Sequence, residues 1–259
     1  MIGRPTLNRI AWLLASLGVG LLIILLWYVI AKARLVSPVF LPGPERAWDA
    51  LVYGLTEGDL RAKTLATIER MIYGWLLASL VGIVLGAVIG VSQAARAYVE
   101  PTLEFLRPLP ASAMMPVAIA LLGLSDAMVL AVIAFGALWP MLLATVHGFA
   151  AVEPRLYQVS RALGLSRGEV IWKIALPSAM PDILAGMRVG LTIALILAVV
   201  GEMLASRPGL GQAILLAARS FQSADLYAGV IMLGVIGYVS GTLLSAAEAR
   251  LLSWRSPNR

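Results

Sequence analysis

The stretch Glu153–Pro181, EPRLYQVSRALGLSRGEVIWKIALPSAMP, is the longest uninterrupted polar interval in the second half of the chain and lies between two long apolar runs. Pro154 is suited to the first turn of a helix, where its missing N–H costs no hydrogen bond. Gly164 follows an apolar stripe of helical spacing and is placed as the left-handed residue that ends such a helix. The first half of the stretch therefore predicts a short helix with a fixed end.

The second half of the stretch predicts another short helix. Ser166 followed by Glu169 is a capping-box pattern, in which each side chain accepts a hydrogen bond from the other residue's backbone N–H. Leu176-Pro177 is expected to stop this helix, because proline lacks an N–H and clashes with the preceding turn. Two short helices with a fixed bend form a rigid protrusion that fits a partner's groove; an interfacial re-entrant hairpin without a partner is the alternative.

The composition of the chain is that of an integral membrane protein. Of its 259 residues, 60% are apolar and 13% are charged, and the mean hydropathy is +0.90, whereas soluble proteins have roughly 45–50% apolar and about 25% charged residues. The net charge is +6, but the Lys and Arg residues cluster between apolar runs without aromatic neighbours. This distribution indicates topology signals and lipid-headgroup contacts, not a nucleic-acid surface. The chain contains no Cys, so no disulfide or thiolate metal site is expected.

Six apolar runs predict an all-α integral membrane protein with six transmembrane helices in a single domain, residues 1–259. The predicted spans cover about 10–31, 71–91, 108–124, 127–146, 183–205 and 226–247, with the loop 153–181 between the fourth and the fifth. The first run is longer than the roughly 7–15 apolar residues of a signal peptide, so we expect a span and not cleavage at Ala31-Lys32-Ala33. Six spans, with Arg4 and Arg9 ahead of the first, place both termini in the cytoplasm.

Three segments between the spans carry patterns of their own. One has an apolar stripe of helical spacing, formed by Trp48, Leu51, Val52 and Leu55. This stripe predicts a helix that lies along the membrane surface or packs on neighbouring spans. Ser92–Arg107 is expected to be a short polar turn on the cytoplasmic side, and Ser206–Asp225 a polar outer loop.

Proline and glycine mark two of the predicted spans. The third run contains Pro108, Pro110 and Pro116, which predict a kinked or partly unwound helix. Such backbone survives in a membrane only where protein or a water-filled cavity satisfies it, so Pro110 and Pro116 are candidates for lining a translocation path. An ordinary packing kink is the alternative. Three glycines at four-residue intervals in the second run are expected to let another helix approach closely: Gly82, Gly86 and Gly90.

No Asp, Glu, Lys or Arg lies near the middle of any predicted span. Arg188 and Glu202 lie near opposite ends of the fifth, where both can snorkel to the interface. Glu202 is therefore expected to be a snorkelling acid, with a place on the translocation path as the alternative. Proton-driven carriers usually need intramembrane carboxylates or histidines as relays, so the energy for transport is expected to come from a cytoplasmic partner.

The spacing in the polar stretch resembles that of a known family. Gly164, then nine residues, then Ile174-Ala175-Leu176-Pro177 match the G-x9-I-x-L-P part of the EAA loop of ABC-importer inner-membrane permeases, although Gln158, Val159 and Ser160 stand where the family has Glu-Ala-Ala. Five further motifs resemble the branch that serves nitrate, sulfonate, taurine and bicarbonate importers: Phe40-Leu41-Pro42-Gly43-Pro44, Arg107-Pro108-Leu109-Pro110, Arg161-Ala162-Leu163-Gly164, Gly201-Glu202-Met203 and Gly209-Leu210-Gly211. This branch also has members for pyrimidines and aromatic acids, so it does not name a substrate.

The resemblance implies a type I ABC-importer permease fold with a cytoplasmic coupling-helix loop, located in a bacterial inner membrane. It implies three protein partners: a dimer of ABC ATPase subunits, an extracytoplasmic solute-binding protein and a second permease copy in a homodimer. ATP would be hydrolysed on the ATPase, in agreement with a sequence that has no G-x-x-x-x-G-K-[ST] phosphate loop, and no cofactor, metal or catalytic residue is expected on this chain. The residues expected to couple to the ATPase are Gln158, Ser160, Arg161, Ala162, Leu163, Gly164, Ile174, Leu176 and Pro177.

The expected function is therefore the permease subunit of an ATP-driven, binding-protein-dependent importer of a small anionic solute in the sulfonate, taurine, nitrate or bicarbonate class. An ATPase-independent secondary carrier or channel subunit has the same hydropathy and stays open as the alternative. It would need intramembrane coupling charges or a polar-lined pore. An intramembrane enzyme would need clustered His, Asp, Glu or Ser groups inside the spans, whereas the single His147 lies at a span end and is assigned no chemistry.

Overall fold

The computed structural model describes residues 4–106 and 108–253. The regular elements in these residues are all helical. In chain order they are α1 (Arg4–Lys32), α2 (Pro44–Thr56), α3 (Leu60–Val91), α4 (Gln93–Leu106), a 3-10 helix (Ala111–Met114), α5 (Met115–Leu122), α6 (Asp126–Ala150), α7 (Pro154–Ala162), α8 (Arg167–Val170), a π-helix (Ile171–Ala175), α9 (Leu176–Ala205), α10 (Leu210–Arg219) and α11 (Ser223–Leu251).

Five helices within the described residues are long and apolar enough to cross a membrane. They cover Ala15–Lys32, Leu60–Val91, Asp126–Ala150, Arg167–Ala205 and Ser223–Leu251. A sixth span is counted if Gln93–Leu106 and Ala111–Leu122, which meet at an angle of 80°, form one broken span. The all-helical membrane fold is therefore confirmed. The predicted third span, about 108–124, corresponds only to the second helix of this bent pair.

The chain divides into two compact units. The first holds the described residues up to Arg61 together with Ala213–Met232, and the second holds Ala62–Gln212 together with the described residues from Leu233 onward. In the first unit, the indole N–H of Trp27 donates to the carbonyl of Pro42 at 2.9 Å, and its ring stacks on Tyr227 with centroids 5.4 Å apart. That residues 1–259 form one transmembrane domain stays a prediction.

Helix α6 is the centre of the second unit because glycines bring α3 and α9 close to it. A Cβ at Gly86 of α3 would lie 2.8 Å from the carbonyl oxygen of Leu142, and one at Gly190 of α9 would lie 3.1 Å from that of Ala137. Gly82 and Gly90 face α6 in the same way, so the predicted glycine face is confirmed. Lipid tails are as apolar as side chains, so membrane helices depend on such close backbone packing to associate.

Two segments expected to be irregular are helices instead. Ser92–Arg107 is not a short turn, because α4 occupies most of it. Ser206–Asp225 is not a simple loop, because it contains α10. Both helices are short and amphipathic, and α4 has Pro101 in its interior, so hydropathy alone does not separate them from polar connections. The predicted helix around Trp48 is confirmed as α2, with Ala47 and Leu51 buried and Trp48 exposed.

The predicted stop at Leu176-Pro177 is wrong. Helical backbone continues from Arg167 to Ala205 because the π-helix Ile171–Ala175 connects α8 to α9. The N–H of Leu176 donates to the carbonyl of Ile171, five residues back. The hydrogen-bond register thus changes just before Pro177, where the ring and the missing N–H would disturb a regular α-turn.

The predicted break in the third apolar run is confirmed. Pro110 immediately precedes the 3-10 helix, and Pro116 lies in the first turn of α5. Gly123, with φ of +66°, ends α5, and the Ser125 side chain then caps α6 by accepting from the backbone N–H of Met128 at 3.2 Å. The segment is thus a series of short helical pieces and not one straight span.

Candidate functional site

The hairpin, defined here as residues 153–175, begins with α7 and a fixed turn. Gly164 has φ of +67°, as its placement predicts. Its N–H donates to the carbonyl of Arg161 at 3.1 Å, and the N–H of Leu165 donates to that of Ser160 at 3.0 Å. These two bonds are the Schellman arrangement, which satisfies the last carbonyls of a helix and needs a left-handed residue. The turn between the two short helices is therefore held by backbone bonds.

The second helix of the hairpin begins with the predicted capping box. The backbone N–H of Glu169 donates to the Ser166 hydroxyl at 3.3 Å, and the backbone N–H of Ser166 donates to the Glu169 carboxylate at 3.0 Å. Lys173 lies 2.7 Å from the other oxygen of the same carboxylate. Every one of these contacts joins residues three or four positions apart, so the hairpin is shaped by its own sequence.

The structure separates the predicted coupling residues into two groups. Those on α7 and its turn are exposed, except for the buried Ser160: Gln158, Arg161, Ala162, Leu163 and Gly164. Those in the second half are partly buried: Ile174, Leu176 and Pro177. Ile174 and Leu176 pack on a core cluster that contains Phe149 and Ala179. The exposed group is therefore carried on a base that is packed into the membrane-spanning helices.

The apolar face of the hairpin is available for another surface. Leu156, Val159 and Leu163, which form the predicted stripe of α7, are all exposed, and Leu163 is 69% exposed. Trp172, in the π-helix that follows α8, is 71% exposed. A cavity of about 550 Å³ between the two arms is lined by residues that include Tyr157, Ser160, Arg161 and Ile171. An exposed apolar patch bordered by charge is typical of a protein-interaction site.

A second polar centre lies at the opposite end of the α6 and α9 spans. Glu202, near the end of α9, is 0% exposed. Its carboxylate accepts hydrogen bonds from the Thr67 hydroxyl at 3.0 Å, the Arg70 guanidinium at 3.0 Å and the backbone N–H of Gly211 at 2.9 Å. The expected snorkelling position of Glu202 is therefore wrong: a buried charge is tolerated because it is paired and fully hydrogen-bonded.

Asp126 extends this centre towards solvent. One carboxylate oxygen, Oδ1, accepts from Arg70 Nε at 2.9 Å and from Arg207 Nε at 3.1 Å, and Oδ2 pairs with Arg207 Nη2. Hydrogen bonding to Asp126 and the attraction of its charge raise the pKa of the Arg207 guanidinium, which keeps its charge. We call Thr67, Arg70, Asp126, Glu202 and Arg207 the ion cluster.

Two of the sequence motifs contact each other at the ion cluster. A Cβ on Gly209 would collide with the Glu202 carboxylate, and a Cβ on Gly211 would collide with the carbonyl of Val199. The backbone N–H of Leu210 donates to the Thr67 hydroxyl at 2.9 Å. Gly201-Glu202-Met203 and Gly209-Leu210-Gly211 therefore meet at the beginning of α10, whose free N–H groups favour a carboxylate.

The three predicted pathway residues lie on separate elements. Glu202 is inside the ion cluster, Pro116 lies in the first turn of α5, and Pro110 precedes the 3-10 helix. The neighbours of Pro110, Leu109 and Ala111, line a cavity of about 510 Å³ with residues of α6 and α9. Sequence reasoning missed Thr67 and Arg70, which look like ordinary residues at the beginning of a span. No group of His, Asp or Glu in residues 4–106 and 108–253 is arranged to hold a metal ion.

The fold agrees with comparisons to known proteins. Residues 78–254 match the family described as the binding-protein-dependent transport system inner membrane component. The chain belongs to this family. As a permease component it is not an enzyme. The matched region includes the hairpin, α6, α9, α10 and three of the five residues of the ion cluster: Asp126, Glu202 and Arg207.

Several curated relatives extend over nearly the whole permease. It is 31% identical to the putative aliphatic sulfonates transport permease protein SsuC of Bacillus subtilis over 98% of this chain and 91% of that protein. It is 28% identical to the taurine transport system permease protein TauC of Escherichia coli, with 92% and 90% covered. It is 29% identical to the bicarbonate transport system permease protein CmpB of Synechococcus elongatus, with 97% and 91% covered. The predicted branch is thus confirmed.

A solved structure of the MetNI methionine ABC transporter, described as inward-facing, has the same fold. The TM-score is 0.65, the sequences are 17% identical, and the match covers 74% of this chain and 95% of that one. At this identity the similarity concerns the fold alone. It confirms the type I importer permease architecture.

Proposed function

We propose that this permease carries a small oxyanion, of the sulfonate, taurine, nitrate or bicarbonate class, through the membrane in an ATP-driven importer. The relatives named for aliphatic sulfonates, taurine and bicarbonate support this substrate class. All three names describe solutes with a charged group built from oxygen atoms around one central atom. The family membership supports a solute delivered by a separate binding protein.

The hairpin is the proposed contact with the ATPase, and its geometry is the observation that carries the coupling mechanism. Its exposed apolar stripe ends at a turn fixed by backbone bonds, and its second arm continues without interruption into α9. Movement of an ATPase surface against α7 would therefore be passed to a membrane span and not absorbed by a loose loop. ATP closes the ATPase dimer, the hairpin moves as a unit, and the paired permeases reorient.

The proposed assembly has two copies of this permease, two ATPase subunits and an extracytoplasmic solute-binding protein, in a bacterial inner membrane. ATP is held by the ATPase subunits, and the permease itself binds no cofactor. Both termini and the hairpin lie on the cytoplasmic side, and the ion cluster lies on the outer side. A membrane-embedded homodimer provides the path between the two sides.

The test is uptake into proteoliposomes that contain the permease and the ATPase, with the binding protein outside and ATP inside. We expect uptake of radiolabelled taurine or bicarbonate that requires ATP and all three proteins. Uptake that continues without the ATPase and follows a proton gradient would support the secondary-carrier alternative and overturn the proposal. An ATPase that cannot bind ATP is the control for passive leak.

A further inference from the structure

Two arginine side chains converge on one acidic side chain in the ion cluster. Arg70 Nε and Arg207 Nε lie 2.9 Å and 3.1 Å from the same oxygen of Asp126, and Arg207 Nη2 pairs with the other oxygen. The edge of a guanidinium forms such paired bonds equally well with carboxylate, sulfonate or phosphate groups, because its donors are fixed in a plane. The donors that the two arginines direct at the Asp126 carboxylate thus have the chemistry that an oxyanion needs.

The part of the cluster around Asp126 is reachable from solvent. The side chains of Asp126 and Arg207 are 44% and 36% exposed, whereas that of Glu202 is 0% exposed. Arg70, at 14%, connects the two parts. Glu202 accepts three hydrogen bonds, one of them from Arg70, whereas the contacts of the described residues give Asp126 only the two arginines as side-chain partners.

We propose that Asp126 is a placeholder in an oxyanion site formed by Arg70 and Arg207, and that the transported solute binds there by displacing it. This inference rests on the proposed function, which makes the solute an oxyanion. The two arginines and two carboxylates of the site sum to zero charge, so withdrawal of Asp126 leaves one positive charge for a monovalent anion. The exchange replaces one charge-assisted pair by another, so the net gain is small. The solute therefore binds weakly enough to leave the site again.

Displacement of Asp126 has a structural consequence. Asp126 is the first residue of α6, and Arg207 lies in the turn between α9 and α10. A solute on the two arginines therefore breaks the ion pair that ties α6 to this turn. Thr67, Glu202 and the beginning of α10 stay joined, because none of their bonds passes through Asp126. The bond of Asp126 with Arg70 of α3 breaks as well, so occupancy of the site releases the beginning of α6 from two neighbours and leaves the bonds of Glu202 in place.

The experiment measures binding of methanesulfonate to the full-length permease in lipid nanodiscs by isothermal titration calorimetry. Methanesulfonamide, a neutral molecule of similar shape, is the ligand control. We expect Asp126→Asn to bind methanesulfonate about tenfold more tightly, because the internal competitor loses its charge, and Arg207→Gln to bind it about tenfold more weakly. Glu248→Gln, which removes one carboxylate from the Arg188–Glu248 pair, should bind like the wild type.

Opposite shifts in the two variants separate this inference from a structural role. If Asp126→Asn and Arg207→Gln both weaken binding, or both leave it unchanged, the pair only joins helices and the inference is overturned. If Arg207→Gln does not fold, Arg207→Lys takes its place: it keeps the charge but loses the paired donors, so it should bind methanesulfonate more weakly than the wild type, and unchanged binding would overturn the inference. If uptake requires ATP but the two variants do not shift the affinity for methanesulfonate in opposite directions, only the oxyanion site is overturned. If the affinities do shift in opposite directions but uptake does not require ATP, only the proposed importer function is overturned.

Discussion

The hairpin and the ion cluster are two polar regions of one membrane protein, and they are built in opposite ways. The hairpin is exposed, and its bonds join residues a few positions apart, as between Ser166 and Glu169. The ion cluster has a fully buried carboxylate, and its bonds cross the chain: Arg70 lies 56 positions from Asp126 and 132 positions from Glu202. A locally encoded surface can keep its shape while it contacts a partner, whereas a long-range cluster reports how separate helices are arranged.

The largest effect on stability is expected in the ion cluster, at the buried Glu202. Glu202→Ala removes the acceptor of three hydrogen bonds and leaves Arg70 and the Gly211 N–H without it. Loss of one partner from a buried ion pair costs about 3–5 kcal/mol, so the free energy of unfolding in detergent should fall by that order. The control is Glu248→Ala, whose ion pair with Arg188 is partly exposed and is worth about 0–1 kcal/mol. Equal losses in the two variants would show that Glu202 does not hold the cluster together.

The turn of the hairpin gives the next largest effect. Gly164→Val places a β-branched residue at φ of +67°, which costs roughly 1–2 kcal/mol of backbone strain. We expect ATP hydrolysis to continue while solute transported per ATP falls several-fold. Gly168→Val is the matched control, because an added Cβ meets nothing within 4 Å at either glycine and Gly168 has no positive φ. If both variants transport alike, the fixed turn is not needed for coupling.

A smaller effect is expected at the cap of the second helix. Ser166→Ala removes the acceptor for the backbone N–H of Glu169, and loss of such a cap costs about 1 kcal/mol. Hydrogen exchange of the Glu169 N–H should become about fivefold faster, with little change elsewhere. Ser178→Ala, an exposed serine in α9, should leave that rate unchanged. A change that spreads across the spans would contradict the local character of the hairpin.

The smallest effect on stability is expected on the exposed face. Arg161→Glu reverses a charge on an exposed side chain, so the free energy of unfolding should change by less than about 0.5 kcal/mol. Co-purification of the ATPase with the permease should nevertheless fall several-fold, because the reversed charge lies at the proposed contact. Arg250→Glu in the last turn of α11 is the charge-matched control. Unchanged co-purification would remove Arg161 from the contact.

The difference between the two regions also explains what the sequence reveals. Gly164 and the Ser166–Glu169 pattern are confirmed because the residues that fix them are neighbours in the chain. The position of Glu202 was wrong because hydropathy places an acid near a span end without indicating that Thr67 and Arg70, more than 130 positions away, meet it there. The helices α4 and α10 were missed for the same reason: they are short, and the sequence does not show which neighbours their apolar faces contact.

The stop expected at Pro177 fails for a different reason. Proline does disturb the regular α-helix, but the backbone forms the five-residue π-helix Ile171–Ala175 just before it and remains helical. A sequence pattern identifies the disturbance and does not distinguish a break from a change of hydrogen-bond register. The difference matters here because a break would have disconnected the hairpin from α9.

The helical run from Arg167 to Ala205 is long enough that a small change in its tilt moves its ends by several ångströms. Its 39 residues extend over roughly 58 Å at 1.5 Å per residue, nearly twice the thickness of a hydrocarbon core of about 30 Å. One end carries the second arm of the hairpin, and the other carries Glu202. A change of about 5° in its inclination shifts one end relative to the other by about 5 Å, close to one helical turn. A small rotation of this helix at one membrane surface therefore moves its other end by a distance larger than the length of a hydrogen bond.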